Sequence, residues 1–428
     1  MTYIPKIKSK EEARYIRKRK NKGFADSLLF IICRIFPVDK NLVSVCTFEG
    51  RGGFGCNPKY IVQELHKQKP ECKIVWFVND RNKAFPEYVK KVPNHSVSRA
   101  YWLSRSKVWI DNYRKPYGTR KRKGQYYINT WHSGMGFKTI GLLRGEAFSY
   151  MAYLVSKNDS DMIDDVVVDS DYCEKMFRKG LVYHGHFLKV GQPRCDILNN
   201  DRSEYMEQFR QKHHLPSDAK VVMYAPTFRE CAQGGKRQVF SEIWSIDFER
   251  LIRTLESRFG GQWYVCVRVH PQLAATFQEY KNEKIQERMI DESRADDMYE
   301  ILAGMDAFVT DYSSAAFDAS ETDMPVFIYA DDIEQYVNDR GNLLWNLSAD
   351  TERPIKNNKY IEPDIDAVLP FSVAKNNDEL EDRILTFEEE KYRVALCEFR
   401  KKEQLVENHS AAEKIVEIME TRLHQKKF

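Results

Sequence analysis

No stretch of this 428-residue chain approaches the ~20 consecutive apolar residues that a membrane-spanning helix needs. No cleavable signal is expected either, because the first residues are basic and no small-residue cleavage site follows them. None of the nine cysteines stands in a C-x-x-C pair. That sets aside zinc knuckles and a disulfide framework, and it points to reduced thiols in the cytosol. Repeats at solenoid periods and low-complexity tracts are also missing. What the chain does have is 42% hydrophobic and 30% charged residues, enough for a sizeable core, and a length that suggests two domains of roughly 150–200 residues.

Excess charge is confined to one place. Residues 1–24 hold nine Lys or Arg against two Glu, so the remainder is slightly acidic although the whole chain carries +4. Such a tail suits an anionic surface, lipid or nucleic acid. Arg17, Lys18, Arg19 and Lys20 lead into an apolar stretch from Leu28, Leu29 and Phe30 to Phe36, closed by Pro37. As a helix this stretch is about 13 Å long, too short to cross a bilayer but able to lie in the headgroup boundary. A helix packed on the domain accounts for the same pattern.

Beyond Pro37, short apolar runs alternate with helical stretches. Leu42–Phe48, Lys73–Val78, Lys107–Ile110, Tyr126–Asn129 and Asp165–Asp169 read as buried parallel strands. A second set reads the same way at Lys220–Tyr224, Trp263–Val269, Lys284–Met289, Ala307–Thr310 and Pro325–Tyr329. Two successive α/β units predict two doubly wound, Rossmann-type domains facing a cleft, with the switch near Gln192–Asp201. The expected division is a basic amphipathic segment (1–36), an N-terminal Rossmann-like domain (37–195), a C-terminal Rossmann-like domain (196–375) and C-terminal helices (376–428); the resemblance given below implies that the first of these domains takes an acceptor and the second a donor.

Five motifs stand at strand ends, where α/β folds place ligands. Gly50-Arg51-Gly52-Gly53-Phe54-Gly55 fits a dinucleotide fingerprint, and equally a tight turn into a Pro-initiated helix. Trp131-His132-Ser133-Gly134 begins a glycine-rich run reaching Lys138. His132 can accept a proton from a hydroxyl nucleophile, or simply pack beside Trp131. Tyr224–Arg229 offers Thr227 and Arg229, a hydroxyl and a guanidinium suited to phosphate. Val267–Pro271 offers His270, and Thr310–Ser314 offers Asp311, Ser313 and Ser314. Together the last three describe a diphosphate site. Asp331-Asp332 lacks a convincing ligand set, so no metal site is assigned, and dependence on a divalent cation stays open. Arg120-Lys121-Arg122-Lys123 suits a polyanion or a solvated loop.

These motifs resemble the CDP-glycerol glycerophosphotransferase family, which includes teichoic acid primases and polymerases and related capsule polymerases. The likeness rests on Asn57-Pro58, Trp131-His132-Ser133-Gly134, Gly191–Leu198, Ala225–Arg229, His270-Pro271, Thr310–Ser314, Pro325-Val326, Tyr336 and Arg340-Gly341, in order over about residues 40–350. One departure is that the family commonly carries Gly-Thr-Pro-Leu after Trp-His, where this chain has Ser133-Gly134-Met135-Gly136.

The resemblance implies a GT-B-like pair of Rossmann-type domains on the cytoplasmic membrane face, working with CDP-glycerol or CDP-ribitol as donor and no tightly bound cofactor. It implies that His132 and His270 are catalytic and that Thr227, Arg229, His270, Asp311, Ser313 and Ser314 line the donor side. Trp131, Ser133, Gly134 and Lys138 fall on the acceptor side. The expected partners are a lipid-linked polymer or primer and an anionic membrane surface, and no nucleic acid is expected. A nucleotide-sugar glycosyltransferase on the same fold is the alternative enzyme, since fold does not fix chemistry. A membrane scaffold or nucleic-acid binder leaves the polar strand ends unexplained.

Overall fold

The computed structural model describes residues 4–227, 230–233, 236–239, 245–269, 285–340, 343–345, 347, 369–407 and 410–424. The chain divides into two compact units. One comprises Met1–Gly134, Ile140–Asp196 and Gln404–Phe428, the other Met135–Thr139 and Ile197–Glu403.

In the first unit, β1 (Asp39–Cys46), β2 (Lys73–Val78), β3 (Val89–Pro93), β4 (Ser106–Asp111), β5 (Tyr126–Asn129), β6 (Asp165–Val168) and β7 (His186–Lys189) form a seven-stranded parallel sheet. Its order is β3-β2-β1-β4-β5-β6-β7, so the chain reverses direction across the sheet between β1 and β4. Parallel strands covered on both faces must be apolar on both, and the two-residue alternation sorts each strand's side chains between two cores. Val43, Val45, Ile74, Trp76, Val78, Val108 and Ile110 meet Ile61, Val62 and Leu65 of helix Cys56–Gln68 and Ile415, Val416 and Met419 of the last helix. Leu42, Val75, Phe77, Trp109 and Tyr127 face the other way, onto Ala100, Leu103 and Phe30.

That second core overturns part of the expectation for the N-terminal segment. Helix Lys10–Ile32 is capped by Ser9 and tied down by Ser27, whose hydroxyl donates to the Gly118 carbonyl at 2.9 Å. Phe30 is buried and Leu29 half-buried against the sheet, so neither belongs to an outward apolar face. The exposed stripe consists of Phe24, Leu28, Ile31, Ile32 and Ile35, at helical spacing, preceded on the same side by Arg17 and Lys20. Lys18 is exposed and Arg19 half-buried.

The second unit holds β8 (Lys220–Tyr224), β11 (Trp263–Val267), β12 (Met289–Asp291), β13 (Ala307–Thr310), β14 (Val326–Tyr329) and β15 (Ser372–Ala374). They form a six-stranded parallel sheet in the order β12-β11-β8-β13-β14-β15. A separate antiparallel pair joins β9 (Glu230–Gln233) to β10 (Lys236–Val239). Here the reversal lies between β8 and β13.

Residues 376–428, grouped above as C-terminal helices, divide between the units. Helices Asn377–Leu385 and Glu389–Lys402 stay with the second: Arg250 donates to Glu381 at 2.6 Å, and the Tyr392 hydroxyl donates to the Met324 carbonyl. Helix Ala411–His424 returns to the first unit, where Asp196 accepts from the Ala411 and Ala412 amides at 2.9 Å each. No described helix is long and apolar enough to cross a membrane.

Candidate active site

In each unit, candidate residues gather where the strand order reverses, at the carboxyl ends of β1, β4 and β5 or of β8 and β13. Diverging loops leave room for a ligand at such a point.

In the first unit, β5 ends at Asn129, whose side-chain oxygen accepts from the Trp131 amide at 2.8 Å. That contact helps hold Trp131 in the left-handed region, at φ 50°, where a bulky residue is strained. The turn delivers His132 beside the end of β4. Its Nδ1 lies 2.9 Å from the Asn112 carbonyl, which can only accept, so Nδ1 carries the proton and the neutral ring has its lone pair on Nε2. An imidazole fixed in this tautomer is prepared to act as a base. Its ring stacks on Trp131 and Tyr113, at 4.9 and 5.4 Å between centroids, and meets Phe48 edge-on at 5.6 Å. Trp131 is thus buried as a wall behind the histidine, while Ser133 is half-buried. Gly134 is constrained by contact: a Cβ there would lie 1.4 Å from an Asp169 carboxylate oxygen.

Asn112, Tyr113, Phe48 and Asp169 have no sequence signature of their own. Their only signal is that they follow strand ends, and the side chains that reach His132 depend on which strands are neighbours. The glycine loop belongs to the same wall. Gly55 precedes helix Cys56–Gln68, and Asn57 on its first turn donates to the Gln192 side chain at 2.6 Å and accepts from the Arg194 amide. This joins two of the sequence motifs into one buried network.

Below the site, Lys115 pairs with Asp111 at 2.5 Å in full burial. Burial raises the Asp111 carboxyl, and Lys115, although burial opposes its charge, is held up by Asp111. Asp159, which accepts from the Tyr127 hydroxyl at 3.2 Å, is pushed up to about 7 by burial and then by the charge of Asp111.

In the second unit, both oxygens of Asp311, at the end of β13, accept from the Thr227 amide beyond β8, at 2.8 and 2.9 Å. Asp311 therefore positions the Thr227 turn. Ser313 Oγ accepts weakly from the Ala315 amide at 3.3 Å, whereas Ser314 caps helix Ala315–Ala319 without a side-chain hydrogen bond. Both serines are half-buried. Arg268 serves structure, donating to the carbonyls of Glu292 and Ala295. Arg229 and His270 lie outside the described residues. Lys138, expected on the acceptor side, groups with this unit, its Nζ 3.3 Å from Thr227 Oγ1. Of the basic run, Arg122 donates to the Phe36 carbonyl and Arg120 to Asn158, so these two cations hold backbone and side chains in place.

The model of the CDP-glycerol:poly(glycerophosphate) glycerophosphotransferase family matches residues 28–421. A teichoic acid poly(glycerol phosphate) polymerase of Staphylococcus epidermidis is 30% identical over 329 residues, 74% of this chain and 44% of that protein. Its counterpart in Bacillus subtilis is 25% identical over 387 residues, 87% of this chain and 50% of the relative. The chain therefore spans about half the length of these two relatives. The solved wall teichoic acid polymerase TagF superposes with a TM-score of 0.75 at 22% identity, covering 96% of this chain and 98% of that one, which shows the fold.

Proposed function

We propose, for a chain that belongs to the CDP-glycerol:poly(glycerophosphate) glycerophosphotransferase family, that it transfers glycerol phosphate from CDP-glycerol to a hydroxyl of a lipid-linked teichoic acid-like or capsular acceptor. The acceptor oxygen attacks the glycerol-bearing phosphorus in line. The bond from that phosphorus to the bridging oxygen breaks, and its electron pair leaves with CMP. Such a reaction depends on positioning and charge stabilisation more than on covalent catalysis. His132 takes the proton of the attacking hydroxyl at Nε2. Thr227, Ser313 and Ser314 hold the donor diphosphate, Asp311 fixes the turn bearing Thr227, and Arg229 and His270 keep the donor-side roles implied by the resemblance.

The observation that carries this reading is the Nδ1–Asn112 contact, which leaves His132 in the tautomer a base requires. The exposed stripe from Phe24 to Ile35, with the cations before it, supports peripheral attachment to the cytoplasmic face of the plasma membrane.

The test is CMP release from CDP-glycerol and CDP-ribitol, beside UDP- and GDP-sugars, with a lipid-linked acceptor. Release from CDP-glycerol is expected. Turnover of a nucleotide sugar with neither CDP-alditol consumed would replace this reading with that of a glycosyltransferase.

A further inference from the structure

We propose that Lys138 is a ligand of the donor's diphosphate, delivered to the second unit by the same peptide that carries His132; this rests on the donor reading above. Residues 135–139 group with the second unit, as a bent segment with a single β-bridge at Lys138. Burial alternates along it: Met135, Phe137 and Thr139 are buried, whereas Gly136 is half-buried and Lys138 exposed.

Three contacts hold this register. Phe137 is fully buried, its ring 4.7 Å from Phe317, and its carbonyl accepts from the Leu344 amide at 2.6 Å. Lys138 forms an antiparallel bridge with Leu343. The Trp345 indole donates to the Gly136 carbonyl at 3.2 Å. With Phe137 buried and the Lys138 backbone bridged to Leu343, the Lys138 side chain is left on the exposed side of the segment.

The less buried side of this segment meets the groups assigned to the diphosphate. Lys138 Nζ reaches Thr227 Oγ1 at 3.3 Å, and a Cβ on Gly136 would stand 3.5 Å from the Ser314 Cβ. The ammonium thus joins a hydroxyl whose own backbone is fixed by Asp311, beside a second hydroxyl that does not cap its helix. A lysine in this setting binds phosphate as a compact positive charge with three donors. It stays protonated throughout, donating hydrogen bonds to the diphosphate oxygens and offsetting the charge that gathers on the leaving CMP. No proton transfer is asked of it.

The test uses the full chain as wild type, Lys138→Met and Lys138→Arg, titrated calorimetrically with CDP and with CDP-glycerol, alongside acceptor KM and thermal midpoint. Loss of a charge-assisted contact should weaken CDP binding by roughly ten- to a hundredfold in Lys138→Met. Arginine should restore most of that loss, and the midpoint and acceptor KM should stay unchanged, since the side chain is exposed and acts on the donor. CDP affinity equal to wild type in Lys138→Met, with a raised acceptor KM, would overturn the proposal and return Lys138 to the acceptor side. Wild type that binds CDP but neither binds nor consumes CDP-glycerol would sink the donor reading alone, and the CDP titrations would still decide Lys138.

Discussion

Replacing Ile32 and Ile35 together by serine should loosen the protein from anionic vesicles without loosening its fold. These side chains are 59% and 76% exposed, so little packing is lost when they change. Fully burying an isoleucine is worth about 1.5–3 kcal/mol, and the exposed fractions leave about 1–2 kcal/mol of that for each residue to gain on insertion. Taking half for a helix that only reaches headgroup depth, the pair contributes about 1–2 kcal/mol. That corresponds to roughly five- to thirtyfold in partitioning. Vesicle co-sedimentation at several salt concentrations is the assay, because Arg17, Lys18 and Lys20 should each add about 1 kcal/mol that high salt removes. Phe30→Ala is the contrast. It opens a cavity under helix Lys10–Ile32 and should cost about 3–5 kcal/mol of stability, seen as a lower midpoint. Vesicle binding of the double serine variant equal to wild type would refute the reasoning, as would a Phe30→Ala protein of normal stability that no longer binds.

Two more outcomes concern the histidines and Asp159. His132→Ala should cut turnover by roughly two to four orders of magnitude while calorimetric donor affinity holds, and His270→Ala should lose both; the reverse pattern would exchange their roles. Asp159 keeps its proton up to about pH 7 when folded, against a usual value of 3.8 when unfolded, so its contribution to stability falls as pH rises between them. At 1.36 kcal/mol per unit the loss is at most about 4 kcal/mol and is complete above pH 7. Asp159→Asn should therefore melt increasingly above wild type from pH 5 to 8, and a gap that narrows over that range would contradict the sign.

How legible each strand was depended on where it sits in its sheet. The inner strands β1, β2, β4, β5, β6, β8, β11, β13 and β14 are largely buried and announce themselves as apolar runs. The edge strands did not. Val89-Lys90-Lys91-Val92-Pro93 carries two lysines and a proline, and His186-Phe187-Leu188-Lys189 is polar at both ends, which suits an edge that must not pair further. β15 was also passed over, and β12 begins where the sequence pattern ended. The Leu28–Phe36 stretch shows the converse: its composition was plain, but which residues face the sheet follows from how the helix docks. For the same reason the position of His132 and of the Thr227 and Ser313-Ser314 segments at strand ends was readable, while the Asn112 and Tyr113 contacts were not. A motif written along one strand survives in sequence, whereas a wall assembled from three strands appears only once their order is known.

The segment after His132 joins these levels. Gly134 is required because Asp169 occupies the space a side chain would need, and the segment that follows carries Met135 and Phe137, both buried, in the second unit. Neither constraint concerns catalysis, yet between them they determine where Lys138 can be. The proposed base and the proposed phosphate ligand are separated by a short peptide held by contacts at both ends. Any change in how Phe137 seats against Phe317 would shift Lys138, its neighbour in the chain, directly, whereas His132 lies five residues away in a turn held by Asn112 and Asn129. Substitutions in that aromatic seat should therefore act on donor binding before they act on proton transfer, which separates the peptide's two duties by their distance from the packing that was disturbed.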